Sequence, residues 1–157
     1  MDKQRVVVVC PGRGSYSRDT SGYIKNHTKF LSSDLMFFEE RRRQNNQLGI
    51  LELDSMSFKS KTHMIGENAS PLIYACSLMD FLAINQDKYE VVAITGNSMG
   101  WYSALAIGGA LSFENGYEVI NTMGSMMKNK IIGGQLIYPL VDNDWKIDKK
   151  LMQKVLD

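Results

Sequence analysis

An α/β fold built on a parallel sheet is what this 157-residue sequence predicts, on three observations. The β-branched run Val6-Val7-Val8-Val9-Cys10 is closed by Pro11-Gly12 and reads as a strand buried on both faces, as in a parallel sheet. A second apolar run, Val91-Val92-Ala93-Ile94, passes straight into a glycine-flanked turn and a small-residue helix. Strand-like and helix-like segments alternate along the chain, and no internal repeat or low-complexity stretch interrupts them.

The first strand leads into the loop Gly12-Arg13-Gly14-Ser15, and the pattern from Thr20 to Phe30 is mixed. Asp34 to Gln47 is predicted helical, with Leu35, Phe37 and Phe38 on an apolar face. Its run Glu39-Glu40-Arg41-Arg42-Arg43 reads as a solvated face whose opposite charges support each other three and four residues apart. Asn68 to Ile84 is predicted as a core helix, because Leu72, Ala75, Cys76, Met79, Leu82 and Ala83 fall at helical spacing. Ser70 is expected as its N-cap and Pro71 at its first helical position.

Beyond the second strand, Tyr102 to Gly108 reads as a helix opening directly behind Ser98. Glu114 to Lys128 is another, with Val119, Ile120, Met123 and Met127 on one side and methionine serving as core filler. Gly133-Gly134 marks a break, and Gln135 to Val141 is strand-like. Asp142-Asn143-Asp144 is expected as a turn with a helix N-cap, and Ile147, Leu151 and Val155 lie four apart on a last amphipathic helix.

Composition narrows the function classes. With 44% hydrophobic and 22% charged residues the chain is an ordinary globular sequence, not a disordered one. Its 18 basic and 17 acidic residues leave a formal charge of +1, so neither nucleic acid nor an anionic membrane is an expected partner. Cys10 and Cys76, far apart and in apolar surroundings, suggest neither a disulfide framework nor a metal site; they read as buried thiols in a reducing compartment. The charged start and the short apolar run after it do not make a signal peptide or a membrane span, and a cytoplasmic location is expected.

The chemistry-bearing residues concentrate in two loops. Gly96-Asn97-Ser98-Met99-Gly100 is a G-x-S-x-G turn with a buried strand before it and a small-residue helix after it, the context in which the serine is a nucleophile. The following helix directs amide hydrogens and a positive dipole end toward the serine, and the Met99 NH is one oxyanion donor. The other loop, Pro11 to Ser15, has several readings. A dinucleotide fingerprint would need glycine where Ser17 stands and an acid ending a second strand. Beside the elbow, the loop would instead supply a second oxyanion NH from Arg13; a plain strand-to-helix turn is the remaining reading.

Together these segments resemble the malonyl-CoA:acyl carrier protein transacylase (acyltransferase) family, over its amino-terminal part. Cys10-Pro11-Gly12-Arg13-Gly14-Ser15 is similar to the family's F-P-G-Q-G-S, and Ser70-Pro71-Leu72-Ile73-Tyr74-Ala75 to its Q-P-A-L-x-A. Gly96 to Leu105 is similar to G-H-S-L-G-E-Y-x-A-L, Ala106 to Phe113 continues into A-G-x-(L/I)-x-F, and Gly134 onward aligns with a G-x-M strand. The resemblance implies an α/β-hydrolase-like parallel-sheet core with an inserted ferredoxin-like subdomain. On that basis residues 1–132 are part of the large subdomain and 133–157 the start of the insertion.

The resemblance also implies a reaction: acyl transfer from acyl-CoA to the phosphopantetheine thiol of an acyl carrier protein through a serine ester. Ser98 is then the nucleophile, and the backbone NH groups of Arg13 and Met99 form the oxyanion hole. No resident cofactor or metal is implied, since acyl-CoA is the substrate and the phosphopantetheine arrives on the partner. Four departures stand near the site. Arg13 replaces a glutamine, Asn97 a histidine and Trp101 a glutamate, and Met123 takes the place of the arginine that grips the malonyl carboxylate. A thioether cannot pair with a carboxylate, so a non-malonyl acyl group is expected.

The family's catalytic histidine lies beyond the insertion, so residues 1–157 by themselves are expected to be catalytically incomplete. His27 and His63 sit in polar segments that match no family histidine and read as surface residues, their reach toward Ser98 left open. Two other functions fit the same residues: a serine hydrolase or thioesterase of this architecture, and a non-catalytic binding module.

Overall fold

The computed structural model describes residues 2–26, 33–126, 128 and 139–156. Strands β1 (Gln4–Cys10) and β2 (Tyr89–Gly96) pair in parallel, with Gln4 opposite Tyr89 and Cys10 opposite Gly96. The register shifts between Val6 and Val7, so Val92 is the extra residue of a bulge. The strands stand as the valine runs predict, but only one face is covered. Cys10 is buried, whereas Val7 and Val9 are 56% and 66% exposed. The double burial expected of this run is therefore not found: the described helices pack on one side of the two strands.

Between the strands lie α1 (Tyr23–Asn26), α2 (Ser33–Gln44), α3 (Ile50–Ser55), α4 (Ser60–His63) and α5 (Gly66–Leu82). After β2 come α6 (Gly100–Ile107), α7 (Phe113–Met126) and, further on, α8 (Lys149–Leu156). The short helices α3 and α4 are too brief to show a period and were not anticipated. Helix α5 is the centre of the core. Leu72, Ile73, Tyr74, Ala75 and Leu78 are all nearly inaccessible, as for a helix enclosed on every side. It packs against α7, α3, α6 and α4. Phe38 of α2 stacks on Tyr117 of α7 with ring centroids 4.6 Å apart, and the Tyr74 hydroxyl donates to the Phe113 carbonyl at 2.8 Å.

Pro71 is not at the start of its helix. Helix α5 begins at Gly66, with Ile65 as N-cap, which places Pro71 inside it and Ser70 well past the cap. A proline there cannot donate to the carbonyl four residues back, that of Glu67. The vacancy is filled from outside the helix: Arg42 Nη1 donates to the Glu67 carbonyl at 2.8 Å. This also corrects the reading of the charged run on α2. Arg41 and Arg43 are on the solvated side, pairing with Glu118 and Glu40, but Arg42 is completely buried.

His63, expected at the surface, is buried as well. Its Nδ1 accepts the Lys59 NH at 3.0 Å, its Nε2 donates to the Leu53 carbonyl at 2.9 Å, and its ring stacks on Phe58. His27 lies outside the described residues. Asp54 is a third buried polar group. Its carboxylate accepts the Tyr16 hydroxyl and the amides of Ile24 and Lys25, satisfying the first turn of α1 from another helix.

Toward the C-terminal end, the expected strand over Gln135–Val141 falls mostly outside the described residues, and Val141 forms an isolated antiparallel bridge with Ile147. Ile147 therefore precedes the last helix instead of sitting on it. The Asp142–Asp144 turn forms, held by Asp142 Oδ1 accepting the amides of Asp144 and Lys146. The residue that caps α8 is Asp148, whose Oδ1 accepts the amides of Lys150 and Leu151, each at 3.0 Å. Among the described residues no helix is long and apolar enough to cross a membrane.

Candidate active site

The β2 strand delivers Ser98 to a sharp turn flanked by Gly96 and Gly100. The Asn97 NH donates to the Cys10 carbonyl at 3.0 Å, extending the β1–β2 ladder by one residue. Ser98 then adopts φ of 53°, a left-handed conformation that disfavours a side chain by on the order of 1–2 kcal/mol. Helix α6 starts two residues later, and its first bonds run from Gly100 to Asn97 and from Trp101 to Ser98. Both flanking glycines are needed for close approach. A methyl on Gly96 would collide with the Gly100 carbonyl group, and one on Gly100 would collide with the Cys10 carbonyl.

Ser98 opens onto a cavity of about 340 Å³, lined also by Arg13, Met99 and Met123. Ser70, Tyr102, Ile120 and Gly124 complete the lining. Four of the six residues singled out in the sequence thus share one cavity. Asn97 and Trp101 do not line it; both are exposed at the elbow, Trp101 by 58%. Ser70 was expected only as a cap, and its place in the lining could have been found from the Ser-Pro match to the family's Gln-Pro. Ile120 and Gly124 carried no such signal.

The loop after β1 is at once a tight turn, Ser15 NH donating to the Gly12 carbonyl at 3.2 Å, and a wall of this site. Neither the Arg13 NH nor the Met99 NH donates to a described backbone acceptor. The Arg13 side chain crosses toward α5, where its Nη1 would lie 3.0 Å from a Cβ placed on Gly66. Among the described residues no carboxylate pairs with Arg13, and none of their side chains hydrogen-bonds the Ser98 hydroxyl. His63 is occupied elsewhere through both ring nitrogens.

A second cavity, of about 350 Å³, lies on the β1 side and shares no lining residue with the first. Cys10 and Cys76 border it, together with the Tyr23–Asp80 pair. Burial pushes both thiols up, so neither is an activated nucleophile. Among the described residues no cluster of His, Cys, Asp and Glu is arranged to hold a metal.

Comparison with known proteins places this geometry. The structure superposes on the crystal structure of an acyl-carrier-protein S-malonyltransferase from Bartonella henselae with a TM-score of 0.62, covering 97% of this chain at 22% identity. The chain has an acyltransferase-like fold. Its sequence resemblance to the acyl carrier protein transacylase family therefore extends to three dimensions. The polyketide biosynthesis protein ThaF of Burkholderia thailandensis is 29% identical over 100 residues, 62% of this chain. No family model matches. The chain spans 47% of the length of the malonyltransferase and 9% of that of the polyketide protein.

Proposed function

We propose that this acyltransferase-like chain transfers an acyl group from acyl-CoA to the phosphopantetheine thiol of an acyl carrier protein, through an ester on Ser98. The observation that carries the proposal is the left-handed Ser98, presented at a cavity lined by Arg13 and Met99, whose amides donate to no described backbone acceptor. The serine oxygen attacks the thioester carbonyl, and the tetrahedral oxyanion is held by the NH groups of Arg13 and Met99. Collapse of the intermediate expels the CoA thiol, which takes up the proton lost by the serine, and leaves the ester. Attack by the carrier thiol then reverses the sequence.

The finer assignments rest on the same residues. Met123 puts a thioether where the family resemblance places a guanidinium, which favours acyl groups without a free carboxylate. Asn97 and Trp101, exposed at the elbow, are assigned with Met123 to substrate binding. Residues 1–132 belong to a hydrolase-like large subdomain and 133–157 open a ferredoxin-like insertion. The setting is cytoplasmic, without a resident cofactor or metal. A base that takes the Ser98 proton is not supplied by the described residues, so efficient turnover calls for one from elsewhere in the working protein.

Intact-mass and peptide analysis after exposure to acetyl-CoA, with and without an acyl carrier protein, tests the proposal. An adduct on Ser98 that is absent in Ser98→Ala and discharged by the carrier supports it. Discharge to water at an equal rate without carrier would establish a hydrolase instead, and no adduct would leave a binding module.

A further inference from the structure

We infer that Arg42 is a positioning residue for the Ser98 cavity, setting the separation of the two helices that form its wall; this rests on the acylation of Ser98 proposed above. Arg42 is fully buried on α2, and no carboxylate lies within ion-pair distance of it among the described residues. Its guanidinium is spread instead over four neutral oxygens. Nε donates to the Leu48 carbonyl, Nη1 to the Glu67 carbonyl at 2.8 Å and to Asn121 Oδ1 at 3.2 Å, and Nη2 to Asn68 Oδ1 at 2.7 Å. The fork therefore ties α5, through Glu67 and Asn68, to α7, through Asn121. Burial pushes the Arg42 pKa down from its ordinary value, with nearby Tyr117 and Glu67 opposing the shift.

An apolar side chain would fill this space without desolvating a charge, so packing alone does not call for an arginine here. What the guanidinium adds is direction, since a planar fork holds several acceptors at set angles where a lysine ammonium would not. The link is made where α5 and α7 cross most closely. A Cβ on Gly66 would lie 2.8 Å from the Gly124 carbonyl oxygen, and one on Gly124 would collide with the Gly66 carbonyl. Within one helical turn of the tied residues stand Ser70 on α5 and Met123 and Gly124 on α7, all lining the Ser98 cavity. The Pro71 vacancy leaves the Glu67 carbonyl free to join the clamp.

Acylation of Ser98 by p-nitrophenyl acetate and p-nitrophenyl octanoate, followed by intact mass on the working protein that includes this chain and supplies the base, tests the inference. In Arg42→Lys the octanoate-to-acetate rate ratio should rise at least fivefold while circular dichroism stays that of the folded chain. Gly124→Ala, which wedges the helices apart without touching the guanidinium, should raise the ratio in the same direction and serves if the lysine variant does not fold. The double variant should change the ratio by less than the product of the two. Ratios within twofold of the parent in the folded variants would overturn the positioning role alone. Absence of a Ser98 adduct in the parent would overturn the acyl-transfer reading together with it.

Discussion

Gly12 lies against Ser98: a Cβ built on the glycine comes 3.3 Å from the serine Cβ and 3.2 Å from the Asn97 carbonyl oxygen. The loop after the first strand and the elbow after the second are thus one surface, although 85 residues separate Arg13 from Ser98 in the chain. A single methyl is tight at this junction and a branched side chain does not fit. Gly12→Val should slow acylation of Ser98 by p-nitrophenyl acetate about tenfold, equivalent to ~1.4 kcal/mol in the barrier. An unchanged rate would separate the loop from the reacting centre.

Gly100 is under a stricter limit, because its missing side chain is what allows α6 to rest on the Cys10 carbonyl. Gly100→Ala sets a methyl against the backbone carbonyls of Cys10 and Pro11 and should destabilise the chain by on the order of 3 kcal/mol, in the upper range for overpacking. Urea unfolding read by far-ultraviolet dichroism measures this. A midpoint equal to the parent's would mean that the elbow yields more easily than its contacts imply.

Met123 lines the cavity where the family resemblance implies an arginine. In competition between malonyl-CoA and acetyl-CoA, the parent protein should label Ser98 with acetyl. Met123→Arg should raise the malonyl share at least tenfold, because a carboxylate left unpaired in a partly dry site loses roughly 1–3 kcal/mol or more. Malonyl preference in the parent would assign the grip to Arg13, the charged residue of the same lining, and Arg13→Gln should then abolish it.

Tyr23 donates to Asp80 Oδ1 at 2.6 Å, and that bond, followed by burial, raises its phenol from 10.0 to about 12. The folded state thus holds the proton more tightly than the unfolded one. The associated stability is complete below pH 10 and is lost as pH rises toward 12. Tyr23→Phe should lose stability at neutral pH and show a shallower decline above pH 10 than the parent in parallel urea titrations. Equal slopes would remove Tyr23 from the alkaline transition.

The two strands, the elbow with its glycines, the core helix around Leu72 and Leu78, and the resemblance of the loops to an acyltransferase were legible in residue order. Each of these depends on neighbours within a few positions: valine runs on strand geometry, small residues around Ser98 on one sharp turn. Arg42 and His63 are buried where their local sequence predicts exposure, for the opposite reason. Whether a charged or polar side chain is solvated is settled by partners far along the chain. For Arg42 the deciding acceptors are Glu67, Asn68 and Asn121; for His63, whose hydrogen-bond partners are near in sequence, the distant contact is the Tyr16 ring stacked on it. Pro71 was placed by a rule for helix starts, and tertiary contact overrode it by giving the Glu67 carbonyl another donor. The cavity has the same character. Local sequence sets the conformation of Ser98, but the wall that faces it comes from α5 and α7 meeting at Gly66 and Gly124, a contact between helices that forms only when the core packs.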